Sequence, residues 1–297
     1  MACYFGARLA RSGVTRVTLA GTWREGLEAL ASRGVRVEDG DGAWAVRVHA
    51  APLAEVPVAA LALVMTKSHK TTAVAPAVSR TVGTSGLALS LQNGLGNREA
   101  LEACVRPRPV LVGVTMAGAT LLGPGHVRGH DAPTILGRDD AGRADEVAAL
   151  FHDAGFQAEV SPNIEAVLWR KLVVNSAINP LSALRSVPNG ALVENPEWRA
   201  LLEQAAREAA AVAAARGIDL GDDPVGAALE VARGTAANRS SMLQDLERGA
   251  PTEIDAINGV VVREGARLGV PTPVNRRLID QIRAREETLG VLPGAGS

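Results

Sequence analysis

The segment between Trp169 and Pro180 contains three polar side chains that could take part in catalysis or in ligand binding. Lys171, Asn175 and Asn179 follow one another at intervals of four, which on a helix places their side chains on one side. Most residues between them are apolar, so we predict a largely buried helix that carries one polar stripe. Because buried polar groups need partners, the stripe indicates either a hydrogen-bond network or the wall of a polar-ligand site. We favour the site, because no acidic residue lies one turn from Lys171 on its helix.

Two more polar clusters occur in the second half of the chain. Ser240 and Ser241 open a predicted helical turn, where a hydroxyl group commonly caps the helix, and we interpret Ser240 in that way. Thr252 to Asp255 has the pattern of a capping box, with Thr252 bonding toward Asp255 and acids favoured by the helix dipole. We therefore predict that a helix starts at Thr252 and continues to Leu268. Taken alone, these residues indicate helix starts.

Composition and charge exclude several classes of protein. The 297 residues contain 31 basic and 32 acidic side chains, and a net charge of −1 gives no field that would draw the protein to nucleic acid or membrane. Cys3 and Cys104 provide neither a disulfide framework nor a metal site, so no metal is predicted. No apolar run approaches the ~20 residues of a membrane span, and no signal peptide is recognisable. We expect a soluble, cytoplasmic protein.

Apolar runs and helical segments alternate in the first half of the chain. Strands are predicted at residues 17–20, 35–37, 45–49, 60–65, 87–91 and 110–115 and within 127–137, and helices at 2–12, 24–32, 71–81 and 144–154, with a further short helix that ends at Ala103. This alternation predicts a parallel α/β sheet. Such sheets bind ligands at the carboxyl ends of their strands, where polar groups occur at Thr22-Trp23-Arg24, Lys67-Ser68 and Asn93-Gly94.

Long helices dominate after about residue 162. They are predicted at residues 195–216, 224–236, 238–248, 252–268 and 274–289, before a loose tail at 292–297. The fold class is therefore α/β, with a Rossmann-like parallel sheet in residues 1–162 and an all-helical domain in residues 163–297. A dinucleotide fold normally opens with a strand and a glycine-rich turn. We predict that about ten residues, holding that strand and the first two glycines, are missing before Met1.

A set of motifs between Tyr4 and about Leu289 carries a family resemblance. The motifs are Tyr4-Phe5-Gly6-Ala7-Arg8-Leu9-Ala10, Gln92-Asn93-Gly94-Leu95-Gly96, Gly118-Ala119-Thr120, Gly123-Pro124-Gly125-His126-Val127, Trp169-Arg170-Lys171-Leu172 through Asn179-Pro180-Leu181, Pro188-Asn189-Gly190, Ser240-Ser241-Met242-Leu243-Gln244-Asp245 and Thr252-Glu253-Ile254-Asp255 through Ile257-Asn258-Gly259. With these motifs the chain resembles the ketopantoate reductases, also called 2-dehydropantoate 2-reductases.

The resemblance implies an enzyme that reduces ketopantoate to pantoate, for pantothenate and coenzyme A biosynthesis. An N-terminal Rossmann domain would bind NADPH, and ketopantoate would lie in the cleft beside the helical domain. Lys171 would be the general acid that protonates the ketone oxygen as hydride reaches the adjacent carbon. The substrate carboxylate and hydroxyl would be held by Asn175, Asn179, Asn189 and Ser241.

The resemblance also implies a set of cofactor-binding residues. Lys67 would lie near the nicotinamide ribose and Ala119 beside the nicotinamide. Asn93 would bridge cofactor and substrate, and Glu253 would contact the cofactor as a second member of the catalytic set. Hydride addition develops alkoxide charge, so a positioned ammonium group can both stabilise that charge and deliver a proton. Apolar neighbours should lower the pKa of Lys171 toward neutrality, and a nearby carboxylate should oppose that shift.

Arg24 requires a separate argument because it follows the predicted second strand of a dinucleotide fold. A cation in that place can bind the 2′-phosphate that distinguishes NADPH from NADH. No acid, which an NAD site would favour, ends the strand, and Glu25 is the nearest one. An exposed arginine in a loop is also commonly just solvated, so Arg24 is a candidate for cofactor choice.

Two alternatives stay open from the sequence. The chain could be a related NADP-dependent 2-oxoacid reductase with another substrate, because the residues that shape the far end of the pocket cannot be named. It could also be a truncated or non-catalytic dinucleotide-binding paralogue, although binding alone would not require a proton donor such as Lys171. The alanine-rich helix at residues 195–216 could pack internally or form the interface of a homodimer.

Overall fold

Strands and helices alternate through the first part of the chain, as the apolar runs predict. The computed structural model describes residues 1–291, so the predicted tail at 292–297 lies outside the described residues. Contacts divide the chain into two units. The first unit comprises Met1–Gln92 and Asn97–Ile164, and the second comprises Asn93–Gly96 and the chain from Glu165 onward. No sequence pattern predicted that the short segment Asn93–Gly96 groups with the helical half.

The first unit contains five α-helices and eleven strands among the described residues. The helices are α1 (Ala2–Ser12), α2 (Arg24–Arg33), α3 (Thr71–Val82), α4 (Asn97–Val105) and α5 (Arg143–Asp153). The strands are β1 (Thr18–Gly21), β2 (Val35–Asp39), β3 (Gly42–Val46), β4 (His49–Pro52), β5 (Leu61–Val64), β6 (Leu87–Ser90), β7 (Val110–Thr115), β8 (Gly118–Gly123), β9 (His126–His130), β10 (Thr134–Gly137) and β11 (Ala158–Ser161).

β5, β6 and β7 pair in parallel and form one side of a five-stranded sheet with the order β11-β10-β7-β6-β5. The predicted α/β fold with parallel strands is therefore confirmed. β1 and β4 also pair in parallel. Antiparallel pairs occur as well, between β7 and β10, between β2 and β3, and between β8 and β9.

Two details of the predicted strands are wrong. The strand predicted at residues 45–49 is divided between two strands, because it covers the end of β3, which forms a hairpin with β2, and the first residue of β4, which pairs with β1, and only residues 47–48 lie outside a strand. The strands β8 and β11 were not predicted. All six residues of β8 are exposed or half-buried, and only one of the four residues of β11 is buried, so neither has the continuous buried apolar run that identified β6 and β7.

One aromatic cluster anchors α1 in the first unit. Tyr4 and Phe5 lie in α1 and pack with Phe151 of α5 and with Phe156. The rings of Phe5 and Phe156 stack with their centroids 4.3 Å apart. The chain has one tyrosine and three phenylalanines, and all four are in this cluster. Gly13 closes α1 in the left-handed conformation, with φ of 74°, as its position after the apolar stripe predicts.

The described part of the second unit contains helices and no strands, as predicted for this half. The helices are α6 (Ile164–Arg185), α7 (Ala191–Glu194), α8 (Pro196–Ala215), α9 (Pro224–Gly234), α10 (Ser241–Glu247), α11 (Asn258–Leu268) and α12 (Pro273–Thr288). Buried alanines of α8, including Ala205, Ala206 and Ala209, contribute to the core. Asn195 caps α8 by accepting hydrogen bonds from the backbone N–H groups of Glu197 and Trp198. No helix within residues 1–291 has the length and apolar character needed to cross a membrane.

Candidate active site

The polar stripe lies on α6, a helix of 22 residues. Lys171 and Asn175 are half-buried, and Asn179 is buried. Trp169, Leu172, Val173 and residues 176–178 are buried around them, so the helix is enclosed on most of its surface. The interval of four therefore places an amine and two amides along a helix whose other side chains are mostly apolar.

Burial changes the acidity of Lys171. Removal from water lowers the pKa of its ammonium group from the ordinary 10.5 to about 8, and the Glu253 carboxylate opposes that shift. Desolvation penalises the charged form, whereas a nearby opposite charge favours it. The carboxylate that Lys171 lacks on its own helix thus comes from a distant part of the chain. A pKa of about 8 leaves the lysine protonated at neutral pH and able to release its proton readily.

Glu253 is only 6% exposed and is joined to the segment that follows β6. The side-chain amide of Asn93 donates to Oε2 of Glu253 at 3.3 Å. The backbone N–H of Leu95 donates to the carbonyl of Ala256 at 3.1 Å. Gly94 has φ of +79°, and a Cβ at this position would clash with the Ala256 carbonyl oxygen. The Asn93-Gly94 pair therefore combines a polar side chain with the close backbone approach that only glycine allows.

The segment that carries Glu253 is a turn, so the predicted helix start at Thr252 is wrong. α11 begins at Asn258, and residues 253–257 form turns in which the backbone N–H groups of Ala256 and Ile257 donate to the Glu253 carbonyl. The Thr252 hydroxyl accepts from the N–H of Ile254 at 3.3 Å, whereas bonding toward Asp255 was predicted. The backbone N–H of Thr252 donates to the buried carboxylate of Glu286 at 2.7 Å.

The serines at the start of α10 have different environments. Ser240 caps the helix, because its hydroxyl accepts from the N–H of Leu243 at 3.1 Å, and it also donates to the carbonyl of Asn179 at 3.4 Å. It therefore joins α10 to the polar stripe of α6. Ser241 is the first residue of α10 and is half-buried. Its predicted contact with substrate stays a prediction.

Asn189 lies in the loop between α6 and α7 and is buried. Its backbone N–H donates to the carbonyl of Asn238, and its side-chain amide donates to the hydroxyl of Thr235 at 2.9 Å. The side-chain carbonyl oxygen is buried and has no hydrogen-bond partner within residues 1–291. A buried acceptor of this kind costs free energy unless a ligand or water satisfies it.

The remaining predicted site residues belong to the first unit. Lys67 follows β5 and is half-buried, and Ala119 is a half-buried residue of β8. Arg24 is the first residue of α2, and its side chain is 90% exposed, with an ion pair to Glu28 at 2.8 Å. Exposed pairs of this type hold a side chain only weakly, so a ligand anion can compete for the guanidinium group.

A buried network at the carboxyl ends of β5 and β6 was not predicted. The side-chain amide of Gln92 donates to the hydroxyl of Thr71 at 2.7 Å and to the carbonyl of Thr66 at 3.0 Å. Thr71 donates in turn to the side-chain carbonyl of Asn97 at 2.8 Å. Only the position of Gln92, directly after the strand predicted at residues 87–91, could have indicated this role. The network fixes the strand ends from which Lys67 and Asn93 continue.

Comparison with known proteins identifies the family. The family model described as ketopantoate reductase PanE/ApbA matches residues 1–139, and the model of its C-terminal part matches residues 163–286. The 2-dehydropantoate 2-reductase of Halobacterium salinarum is 39% identical over 280 residues, which cover 91% of each chain. The chain belongs to the ketopantoate reductase family. The Pyrococcus horikoshii 2-dehydropantoate 2-reductase is 34% identical, over 96% of this chain and 94% of the relative.

Solved structures that are similar to this chain include a member of the same family. A PanE/ApbA family ketopantoate reductase from Ralstonia eutropha has a TM-score of 0.90 and 36% identity, over 97% of this chain and 96% of that chain. D-mandelate dehydrogenase with NADH and anilino(oxo)acetate also has a TM-score of 0.90, with 26% identity over the same shares of the two chains. The predicted family, its α/β and helical architecture and its assignment as an oxidoreductase are therefore confirmed. No group of three or more His, Cys, Asp or Glu side chains in the described chain could hold a metal ion.

Proposed function

We propose that the protein reduces ketopantoate to pantoate, with NADPH as the hydride donor and Lys171 as the general acid. The observation that carries the proposal is the environment of Lys171, a lysine with a pKa of about 8 that interacts electrostatically with Glu253. The two ketopantoate reductase family models, which match both halves of the chain, support the choice of substrate. The product would serve pantothenate and coenzyme A biosynthesis in the cytoplasm.

The first unit has residues that suit a dinucleotide phosphate. Arg24 follows β1 and has an exposed guanidinium group, and Lys67 follows β5. Cations at the carboxyl ends of parallel strands suit the phosphates and the ribose of such a cofactor. Arg24 would hold the 2′-phosphate, Lys67 would lie at the nicotinamide ribose, and Ala119 would lie beside the nicotinamide. The bound cofactor supplies the hydride for the carbonyl carbon of the 2-oxoacid.

The second unit supplies the groups that act on the substrate. Lys171 holds a proton on Nζ and donates it to the carbonyl oxygen as negative charge develops there. Glu253 raises the pKa of Lys171, which favours the charged ammonium group, and it accepts a hydrogen bond from the side-chain amide of Asn93. Asn93 would bridge substrate and cofactor, and Glu253 would contact the cofactor.

The amides and the hydroxyl would orient the substrate without adding charge. Asn175 and Asn179 lie one and two turns beyond Lys171 on α6, so they can hold groups next to the reacting carbonyl. Asn189 and Ser241 would bind the remaining polar groups of the substrate. The unpartnered buried oxygen of Asn189 is an acceptor, which suits the hydroxyl group of ketopantoate better than its carboxylate.

A different 2-oxoacid is the second candidate substrate. The similarity to D-mandelate dehydrogenase with NADH and anilino(oxo)acetate supports it, because that structure matches the whole fold as well as the Ralstonia eutropha structure does. This candidate would keep the role of Lys171 and change both the substrate side chain and the cofactor. A non-catalytic role is disfavoured, because dinucleotide binding does not require a partly desolvated lysine. The protein could act as a homodimer through the alanine-rich α8.

The test compares two substrates and two cofactors. NADPH and NADH oxidation would be followed at 340 nm with ketopantoate and with an aryl 2-oxoacid, for the native chain and for Lys171→Ala. We expect turnover of ketopantoate with NADPH, and a loss of at least about 100-fold in the variant. Faster turnover of the aryl 2-oxoacid with NADH would change the proposed substrate and the proposed cofactor. The role of Lys171 as the general acid would stay as proposed. An unchanged rate in Lys171→Ala would refute the mechanism.

A further inference from the structure

Pro180 interrupts the hydrogen-bond ladder of α6. The helix continues from Ile164 to Arg185 with Pro180 in its interior. In an α-helix the N–H of each residue donates to the carbonyl four residues earlier, and proline has no N–H. The Ser176 carbonyl therefore has no partner at the usual position in its own helix. It lies inside the stretch between Lys171 and Asn179, where a lost hydrogen bond would loosen the helix that carries the polar stripe.

Asn258 supplies the missing donor. Its side-chain amide donates to the Ser176 carbonyl at 2.8 Å and to the side-chain oxygen of Asn275 at 2.9 Å. Asn258 and Asn275 are both fully buried. Because both partners are acceptors, the NH₂ group of Asn258 must face them, and its two protons are both used. The 2.8 Å distance is that of a well-formed hydrogen bond.

The network continues from Asn275 into two further helices. The Asn275 amide donates to the carbonyl of Ala205 and to Oε2 of Glu208, both on α8. The Glu208 carboxylate also accepts from the backbone N–H groups of Val274 and Asn275 at the start of α12. A negative charge at a helix start is favourable. Asn258 is therefore also bound, through Asn275, to a hydrogen-bond network that involves α8 and α12. This network restricts rotation of the Asn258 amide away from α6.

The position of Asn258 connects this bond to the candidate active site. Asn258 is the first residue of α11 and directly follows the turn that carries Glu253. Ser176 directly follows Asn175 in the polar stripe. The hydrogen bond between them thus links the two chain segments that bring Glu253 and Lys171 together. A shift of either segment would change the distance between carboxylate and ammonium group.

We infer that Asn258 is a positioning residue, which replaces the helix hydrogen bond lost at Pro180 and so holds Lys171 and its stripe in register with Glu253. The inference rests on the proposed function for its catalytic consequence. It explains why α6 remains helical although it contains a proline: the Ser176 carbonyl, which Pro180 leaves without its helix donor, accepts a hydrogen bond from Asn258 at the start of α11. In an uninterrupted ladder that carbonyl would already accept a helix N–H, so a bond from Asn258 would be a second one and not a replacement.

A double-mutant cycle tests the pairing of Asn258 with Pro180. Asn258→Ala removes the donor, whereas Pro180→Ala restores a backbone N–H that can bond to the Ser176 carbonyl within the helix. With NADPH and ketopantoate we expect Asn258→Ala to lower kcat by about 10- to 100-fold, with a smaller change in KM. In the Pro180→Ala background the same substitution should lower kcat by less than about threefold, because α6 no longer needs the amide. Asn258→Ala also removes the hydrogen bond to Asn275 in both backgrounds. The contribution of that bond therefore cancels when the two effects of Asn258→Ala are compared.

A helix-cap variant controls for a general loss of stability. Asn195→Ala removes the cap of α8, which should lower Tm without changing kcat measured well below Tm. The alkaline limb of the kcat profile is a second readout. It should move to lower pH in Asn258→Ala as Glu253 separates from Lys171, and it should not move in Asn195→Ala. A purely structural role of Asn258 predicts no such difference.

The outcomes separate this inference from the proposed function. Equal effects of Asn258→Ala in the two backgrounds, on kcat and on Tm, would overturn the pairing. If Asn258→Ala does not fold, recovery of folded protein on adding Pro180→Ala supports the pairing, and no recovery overturns it. If the native chain does not reduce ketopantoate, the proposed function fails, while the Tm cycle still supports or refutes the bond to the Ser176 carbonyl.

Discussion

Replacing Lys171 by methionine should abolish turnover and at the same time stabilise the protein. Methionine is an unbranched apolar side chain of similar length, so it can fill the space without a charge. The ammonium group is partly removed from water, and its pKa in the folded protein is about 8, compared with an ordinary value of 10.5. A lowered pKa means that the charged lysine favours the unfolded state, even with the attraction of Glu253 included.

The magnitude follows from the two pKa values. Each pKa unit corresponds to about 1.4 kcal/mol, so the charged form lowers the free energy of unfolding by up to about 3 kcal/mol relative to the neutral form. This penalty is fully present below pH 8, where Lys171 is protonated in both states. It disappears as the pH rises from about 8 to 10.5, because only the unfolded state then binds the proton. The advantage of Lys171→Met should therefore be greatest at neutral pH and vanish near pH 10.5.

Urea unfolding at pH 7 and at several pH values up to 10.5 would measure this difference, with kcat determined in parallel. The exposed Lys70 offers a matched control, since Lys70→Met should change the stability by less than about 0.5 kcal/mol. We expect Lys171→Met to be more stable than the native protein and to lose at least about 100-fold in kcat. A variant that is less stable at pH 7 would refute the desolvation argument, and a variant with normal kcat would refute the role as an acid.

Three further substitutions test other parts of the molecule. Glu253→Gln removes the charge that raises the pKa of Lys171, so the alkaline limb of kcat should move below pH 8; a limb that stays in place or rises would contradict this. Arg24→Ala should raise KM for NADPH about tenfold, the size of a lost charge-assisted hydrogen bond, and leave KM for NADH unchanged; equal effects on both cofactors would argue against contact with the 2′-phosphate. Gln92→Leu should lower the free energy of unfolding by about 1–3 kcal/mol, because buried acceptors at Thr71 and Thr66 lose their donor, and an unchanged urea midpoint would show that the network contributes nothing.

Local patterns in the sequence were sufficient for the main elements. The interval of four between Lys171, Asn175 and Asn179 predicted a buried helix with a polar stripe, because helical periodicity depends only on neighbours within a turn or two. Continuous apolar runs predicted β5, β6 and β7 for the same reason. The patterns failed where an element had no clear periodicity, as in β8, or where a helix-start pattern was instead part of a turn, as at Thr252.

Which of these groups come into contact depends on packing between distant parts of the chain. Glu253 and Asn93 are 160 residues apart and share a hydrogen bond, and the same carboxylate acts on the charge of Lys171. Asn258 bonds to a carbonyl that Pro180 leaves free on α6. No periodicity relates such distant positions, because their pairing depends on how helices and turns pack against one another. The sequence therefore determined the chemical groups and the helix that presents three of them, whereas packing determined the acidity of Lys171 and the partner that controls it.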